Sequence, residues 1–373
     1  MMKQELTQDI AYYQSVDLLK QMIAIPSTSR DEKSVADLIE GALRQQDGIE
    51  VGRLGNNVWA TQANIEDKIR PTILLNSHCD TVKPVVTWTK DPFEPTEEVV
   101  ENASGKLETR LYGLGSNDAG APLVSLLHTF LMLKDTPQKY NLMFLASCEE
   151  EVSGKNGIES VLCNTDAPIN PALAIVGEPT GMNAAVAEKG LVVLDGVAHG
   201  KSGHAARNEG INAIYIALEA IQKLKNYRFE KESSTLGPVK ITVSVINAGT
   251  VHNVVPDECK FVVDVRTTDA YTNEEVVKTL QELVAPVELT PRSTRLQPSG
   301  ISETHPLVER IKMLGRSTFG SPTLSDQALM HFPSIKIGPG DSARSHTADE
   351  YICLDEIREA IALYYSMLNG LEL

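Results

Sequence analysis

The chain has 373 residues, 42% of them hydrophobic and 23% charged, a normal globular balance with room for two domains or one large α/β domain carrying an insertion. Its formal net charge of −16 argues against nucleic acid or an anionic membrane as a partner, because both need a basic patch. Five cysteines, Cys79, Cys148, Cys163, Cys259 and Cys353, form no CxxC pair, which is the usage expected of reduced thiols in a cytoplasmic protein. The N-terminal stretch shows no apolar leader, and no apolar run approaches ~20 residues, so no membrane span is expected.

The first 180 residues alternate helix-like and strand-like segments. "AYYQSVDLLKQMIAI" has helical apolar spacing and stops before Pro26, and "STSRDEKSVADLIEGALRQQ" offers Ser and Asp start signals ahead of a second amphipathic helix. "NNVWATQ", "PTILLNS", "NLMFLAS" and "PALAIVG" are short apolar runs between turn residues, the pattern of strands buried on both faces. "NDAGAPLVSLLHTFLMLK" is apolar nearly all round and predicts a buried crossover helix, so this part reads as an α/β sandwich.

After about residue 181 the texture changes. "GLVVLDGVAHG", "GINAIYIALEAIQKLKN", "VKITVSVINAG", "ECKFVVDVRTT", "TNEEVVKTLQELV" and "PVELT" read as β-α-β-β-α-β, a ferredoxin-like unit inserted over 181–291. Strict alternation places Val239, Ile241, Val243 and Val245 on one face of its third element. The host domain, 1–180, then resumes over 292–373 with "THPLVERIKMLGR", "FPSIKIG" and a last helix, "LDEIREAIALYYSML".

Acids and histidines gather at the ends of the host strands. "LASCEEEVSGKNG" crowds Glu149, Glu150 and Glu151 behind an apolar run, where like charges repel unless a cation is near. "ILLNSHCDTV" places His78 and Asp80 two apart, on one face of extended backbone, so that an acid can orient a metal-binding ring. Asp118 in "YGLGSNDAGAP" reads locally as an ordinary helix-start residue, and Glu178 in "AIVGEPT" as a solvated loop acid. His346 sits in "GPGDSARSHTADEYI", and His204 in "GKSGHAARNEG" of the insert. Taken together, His78, Asp118, Glu151, Glu178 and His346 fall at carboxyl ends of core strands or in adjoining loops, where α/β sheets bind ligands. Two imidazoles and three carboxylates suit two divalent ions of the zinc or cobalt type, one carboxylate bridging.

The ordered set "SHCDTV", "NDAG", "CEEE", "GEPT", "SGHAA" and "SHTADEY" resembles the M20 family of dinuclear zinc amidohydrolases and exopeptidases over nearly the whole chain. The resemblance implies a zinc-exopeptidase-like α/β/α catalytic domain with an inserted lid and dimerisation domain. It implies that His78 and Glu178 hold one metal, Glu151 and His346 the other, and that Asp118 bridges them. Asp80 would orient His78, Glu150 would be the general base, and His204 would stabilise the oxyanion. Asn253 and Arg266 match substrate-binding positions, although Arg266 has Asp264 on its own face as an alternative partner. Arg344, close in sequence to His346, is a candidate for an acidic acyl group or a substrate carboxylate, with a surface salt bridge as its alternative. Two departures stand out: Leu114 where many members carry Arg, and Gly120-Ala121 where many carry Lys-Gly.

The function expected is metal-dependent hydrolysis of an N-acyl amino acid, foremost N-acetylornithine or N-succinylornithine to ornithine in arginine biosynthesis, by a cytoplasmic homodimer. The alternatives are succinyl-diaminopimelate desuccinylase and a metallo-dipeptidase or carboxypeptidase. A non-catalytic binding protein on the same scaffold should have lost ligands or the base, and all are present.

Overall fold

The strand Asn141–Ser147 is buried at every residue, as its unbroken apolar run requires. The computed structural model, which describes residues 6–63, 70–164 and 170–373, shows why. That strand runs parallel to Thr72–His78 and antiparallel to Asn57–Gln62. The sheet continues through Pro171–Val176 and Ser334–Lys336, all parallel to Thr72–His78, while Ile49–Leu54 closes the other edge antiparallel. Residues 1–5, part of the stretch read for a leader, lie outside the described residues.

Alternation along these strands feeds two cores. Ile73, Leu75, Leu142, Phe144, Leu173 and Ile175 pack with the helices Gln8–Ile23, Ala121–Leu133 and Leu354–Leu368. Leu74, Met143, Leu145, Ala174 and Val176 face the other way, against Ile158, Val161 and Met330. The helix Ala121–Leu133 is buried everywhere except Met132, which accounts for its lack of a polar face. It starts at Ala121 and not at Asp118, whose φ of −121° and ψ of 99° are extended.

His128 in that helix is enclosed, its Nδ1 lying 2.9 Å from the Val124 carbonyl and 2.8 Å from Ser15 Oγ. Burial pushes the imidazole down from its ordinary value of 6.5 to about 4. The unfolded chain therefore takes up a proton that the folded chain refuses. The associated stability is complete above pH 6.5 and is lost as pH falls through 4, up to about 3 kcal/mol. In urea unfolding, His128→Gln is expected to flatten the stability profile between pH 6.5 and 4. An unaltered profile would assign the acid sensitivity to other groups.

The chain divides into two compact units, one of residues 1–186, 300–319 and 325–373, the other of 187–299 and 320–324. Ala184–Glu188 begins as a strand of the first unit's sheet, antiparallel at Lys336↔Ala185. In the second unit the strands run Lys240–Ala248, Glu258–Thr267, Gly190–His199, Glu288–Pro291, all antiparallel. The helices Ala213–Asn226 and Asn273–Val284 cover one face, with Val192, Leu194, Phe261, Val263 and Val265 beneath them. The second helix opens on a capping box in which Thr272 and Glu275 satisfy each other's backbone N–H. Val245 departs from the alternation expected of its strand. The register slips by one between Val243 and Val245, turning Val245 outward to 45% exposure. All five cysteines are free, and among the described residues no helix is long and apolar enough to cross a membrane.

Candidate metal centre

Parallel strands deliver the site residues to one end of the sheet. His78 ends the strand Thr72–His78, Glu150 and Glu151 follow Asn141–Ser147, and Glu178 follows Pro171–Val176. His78 is 1% exposed. Its Nδ1 lies 2.9 Å from the Asp80 backbone oxygen and 3.5 Å from Asp80 Oδ1. That fixes the ring and turns Nε2 toward Asp118 Oδ1 at 3.2 Å and Glu178 Oε1 at 3.8 Å. His346 Nε2 lies 3.0 and 3.1 Å from the two Glu151 oxygens and 3.6 Å from Asp118 Oδ2. Asp118 thus gives one oxygen to each imidazole.

Two triads result, His78–Asp118–Glu178 and Asp118–Glu151–His346, each with ligand atoms within 4.8 Å of one another and Asp118 common to both. Asp118 is no helix cap: its carboxylate is left for the site because the helix begins three residues later.

Asp80 also organises the other side of the centre. Its Oδ1 accepts the N–H of Glu150 at 3.1 Å, and its Oδ2 accepts the N–H of Glu151 at 3.2 Å and the Ser29 hydroxyl at 2.7 Å. A left-handed Glu149, φ 55°, starts a single tight turn over Glu150–Val152. The three glutamates therefore diverge. The Glu149 carboxylate turns back to Asn156 Nδ2 at 2.8 Å, Glu151 reaches His346, and Glu150 belongs to neither triad.

Without cations the charges are badly balanced. Burial, with Asp118 nearby, pushes Glu178 up to about 8. Burial also raises Glu150 well above the ordinary carboxylate range, with Glu178, Asp326 and Glu151 adding to it against His78. Burial opposes a charged His78, but its bonds to Asp118 and Asp80 outweigh this and hold its pKa well above the ordinary value. The hydrogen bond to Glu151 lifts His346 to about 9. A cluster that favours a proton on Glu178 and on both imidazoles is one short of positive charge, and imidazole with carboxylate is the donor set of a zinc-type ion. The residues fit two divalent cations sharing Asp118.

The other sequence candidates stand in local contacts of their own. His204 lies on a two-residue ribbon with Val254–Val255 in the second unit, its Nδ1 accepting the Ala206 N–H at 3.1 Å. Asn253 is exposed beside it, its carbonyl accepting the Ala205 N–H at 3.0 Å. Arg266 makes a two-pronged pair with Asp264 at 2.9 and 3.1 Å. Arg344 pairs with Glu356 at 2.7 and 3.2 Å and stacks over Tyr351 at 4.5 Å. Among the buried acids that the sequence reading passed over are Glu350 and Asp326. Glu350 accepts backbone N–H groups of the Asp118 turn, and Asp326 accepts the Ser147 hydroxyl at 2.5 Å. Only an acid beside a known ligand motif, as in "SHTADEY", could have hinted at the first.

Comparison with known proteins agrees with this geometry. Residues 74–370 match the family model described as peptidase family M20/M25/M40. Succinyl-diaminopimelate desuccinylase of Corynebacterium glutamicum is 26% identical, over 94% of this chain and 95% of that enzyme. Acetylornithine deacetylase of Erwinia tasmaniensis is likewise 26% identical, over 90% of this chain and 92% of that enzyme. A Bacillus subtilis structure, described as a dinuclear metal binding peptidase of the M20 family, shares the fold with a TM-score of 0.72 at 16% identity, covering 97% of this chain and all (100%) of that one. The match spans both strand-end triads and most of the length, and this chain belongs to the peptidase family M20/M25/M40 as one of its hydrolases.

Proposed function

We propose that this chain hydrolyses the amide of an N-acyl amino acid, with N-acetylornithine or N-succinylornithine as substrate and ornithine as product, in arginine biosynthesis. The observation that carries the reading is the split of Asp118 between His78 and His346, at 3.2 and 3.6 Å. His78 and Glu178 would hold one divalent ion and Glu151 and His346 another, with Asp118 shared, and such ions, zinc or cobalt, would polarise the carbonyl and lower the pKa of the attacking water. Glu150, half-buried and outside both triads, takes the proton from that water and returns it to the leaving amine. Asp80 holds His78 and the Glu150–Glu151 backbone in place.

The insert expected over 181–291, most of which falls in the second unit, serves in this reading as a ferredoxin-like lid and dimerisation domain. His204 stabilises the oxyanion, and Asn253, Arg266 and Arg344 contact substrate. Dimerisation is supported by its edge strand Lys240–Ala248, which has one neighbour, and by exposed Tyr215, Leu218, Val245 and Ile246. A cytoplasmic location is consistent with the free thiols.

A second reading, succinyl-diaminopimelate desuccinylase, is favoured by the Corynebacterium relative and its coverage. Initial rates of the cobalt- or zinc-loaded protein on N-acetylornithine, N-succinylornithine, succinyl-diaminopimelate and a dipeptide panel decide between them. Turnover of an acyl-ornithine, with the others at least about a hundredfold slower in kcat/KM, is the expected result. Selective turnover of succinyl-diaminopimelate establishes the second reading. Cleavage of dipeptides alone moves the chain to the peptidases.

A further inference from the structure

Two turns of the first unit, 113–118 and 340–350, carry Asp118 and His346, and side chains outside both triads lace them together. Glu350 is 2% exposed. Its Oε1 accepts the N–H of Asn117 at 2.8 Å and of Asp118 at 2.9 Å, and its Oε2 accepts the N–H of Gly115 at 3.2 Å. Its backbone carbonyl accepts the N–H of Gly113 at 3.0 Å. From the opposite turn, Asn117 Oδ1 accepts the Asp341 N–H at 3.0 Å, and Asn117 Nδ2 donates to the Asp341 carbonyl at 3.1 Å and Ser345 Oγ at 3.2 Å. Gly340, with φ 92°, passes so close that a Cβ would lie 2.3 Å from Asn117 Oδ1.

A buried carboxylate is costly to desolvate, and a plain loop closure does not need one. Here both oxygens of that carboxyl are spent on three amides of one turn, one of them the amide of Asp118. We infer that Glu350, together with Asn117, is a positioning residue that fixes the Asp118 carboxylate between His78 and His346, so that one side chain reaches both metals. The inference rests on the two-metal reading above. Glu350 touches no reacting atom. It sets how well the second ion binds once the first is in place.

Glu350→Gln puts an NH2 group among three N–H donors. In Co(II) titrations followed by calorimetry and the visible spectrum, the first equivalent is expected to bind within about threefold of the parent and the second at least about tenfold more weakly. At saturating cobalt, kcat falls by about tenfold or more while KM stays within about threefold. Unchanged affinity for both equivalents overturns the inference. So does a lower Tm of the metal-free protein with the ratio of the two affinities preserved, the mark of a purely structural residue. If the Gln variant does not fold, Asn117→Ala is read by the same isotherm, with the same expected loss at the second equivalent. A parent chain that binds one cobalt overturns the two-metal reading and this inference together. A parent and variant that both bind two equally well overturn this inference alone.

Discussion

If Glu150 is the proposed general base, replacing it with Gln is expected to remove roughly a thousandfold of turnover while leaving metal binding at the parental level. The side chain keeps its size, and neither triad draws on it, so metal content by elemental analysis stays at the parental value. What is lost is a proton acceptor. Its placement depends on the Asp80 bond to its N–H, 3.1 Å, and not on the carboxylate itself, so the substitution does not disturb the turn. Burial, with Glu178, Asp326 and Glu151 adding to it, raises this carboxyl above the ordinary carboxylate range. A Gln variant keeping more than about a tenth of parental kcat would assign the base elsewhere.

Replacing Asp80 with Ala damages both triads at once. Asp80 is 1% exposed and serves four groups: the His78 ring, the amides of Glu150 and Glu151, and the Ser29 hydroxyl. Removing it frees the ring on one side and the Glu151 backbone on the other, so both metals are expected to bind about 10–100-fold more weakly. The two amides and the hydroxyl lose their buried acceptor at about 1–3 kcal/mol each, so stability in urea falls by several kcal/mol. Asp80→Asn retains one acceptor oxygen and should fall between parent and Ala. Weakening confined to the metal at His78, with the Glu151–His346 ion untouched, would falsify the double role.

Much of this was legible in the sequence where burial is uniform or follows one helical face. The strand Asn141–Ser147 and the helix Leu354–Leu368 begin and end with their apolar patterns. The strands Thr96–Glu101 and Leu107–Tyr112 were not, because "TEEVVE" and "LETRLY" lie half exposed in a small sheet of their own. The triad residues were brought together by the order of their motifs. Their local surroundings favoured a cap for Asp118 and solvent for Glu178, whereas Asp118 lies in extended backbone ahead of its helix. The pairing of Asp80 with His78 was expected, but the bonds of Asp80 to the Glu150 and Glu151 amides and the contacts of Glu350 escaped, since they join segments distant in sequence through backbone amides that no side-chain pattern records.

The second unit leaves the first after Val186 and returns at Gly300, and the Ile301 N–H meets the Val186 carbonyl across that neck at 2.9 Å. Beyond the neck, Ser334–Lys336 must find Pro171–Val176 in parallel register, closing a loop that contains all of residues 187–299. In an unfolded chain that search is slow, because loop entropy is spent before any contact forms. The insert has its own core around Phe261, Val263 and Leu280, so its folding draws the two neck residues together and shortens the loop left for the host sheet to close. Order of assembly is therefore written into the insertion point. Damage to the Phe261 core is expected to delay the pairing of Ser334–Lys336 with Pro171–Val176, and with it the segments beyond those strands that carry Glu178 and His346, far along the chain from Phe261.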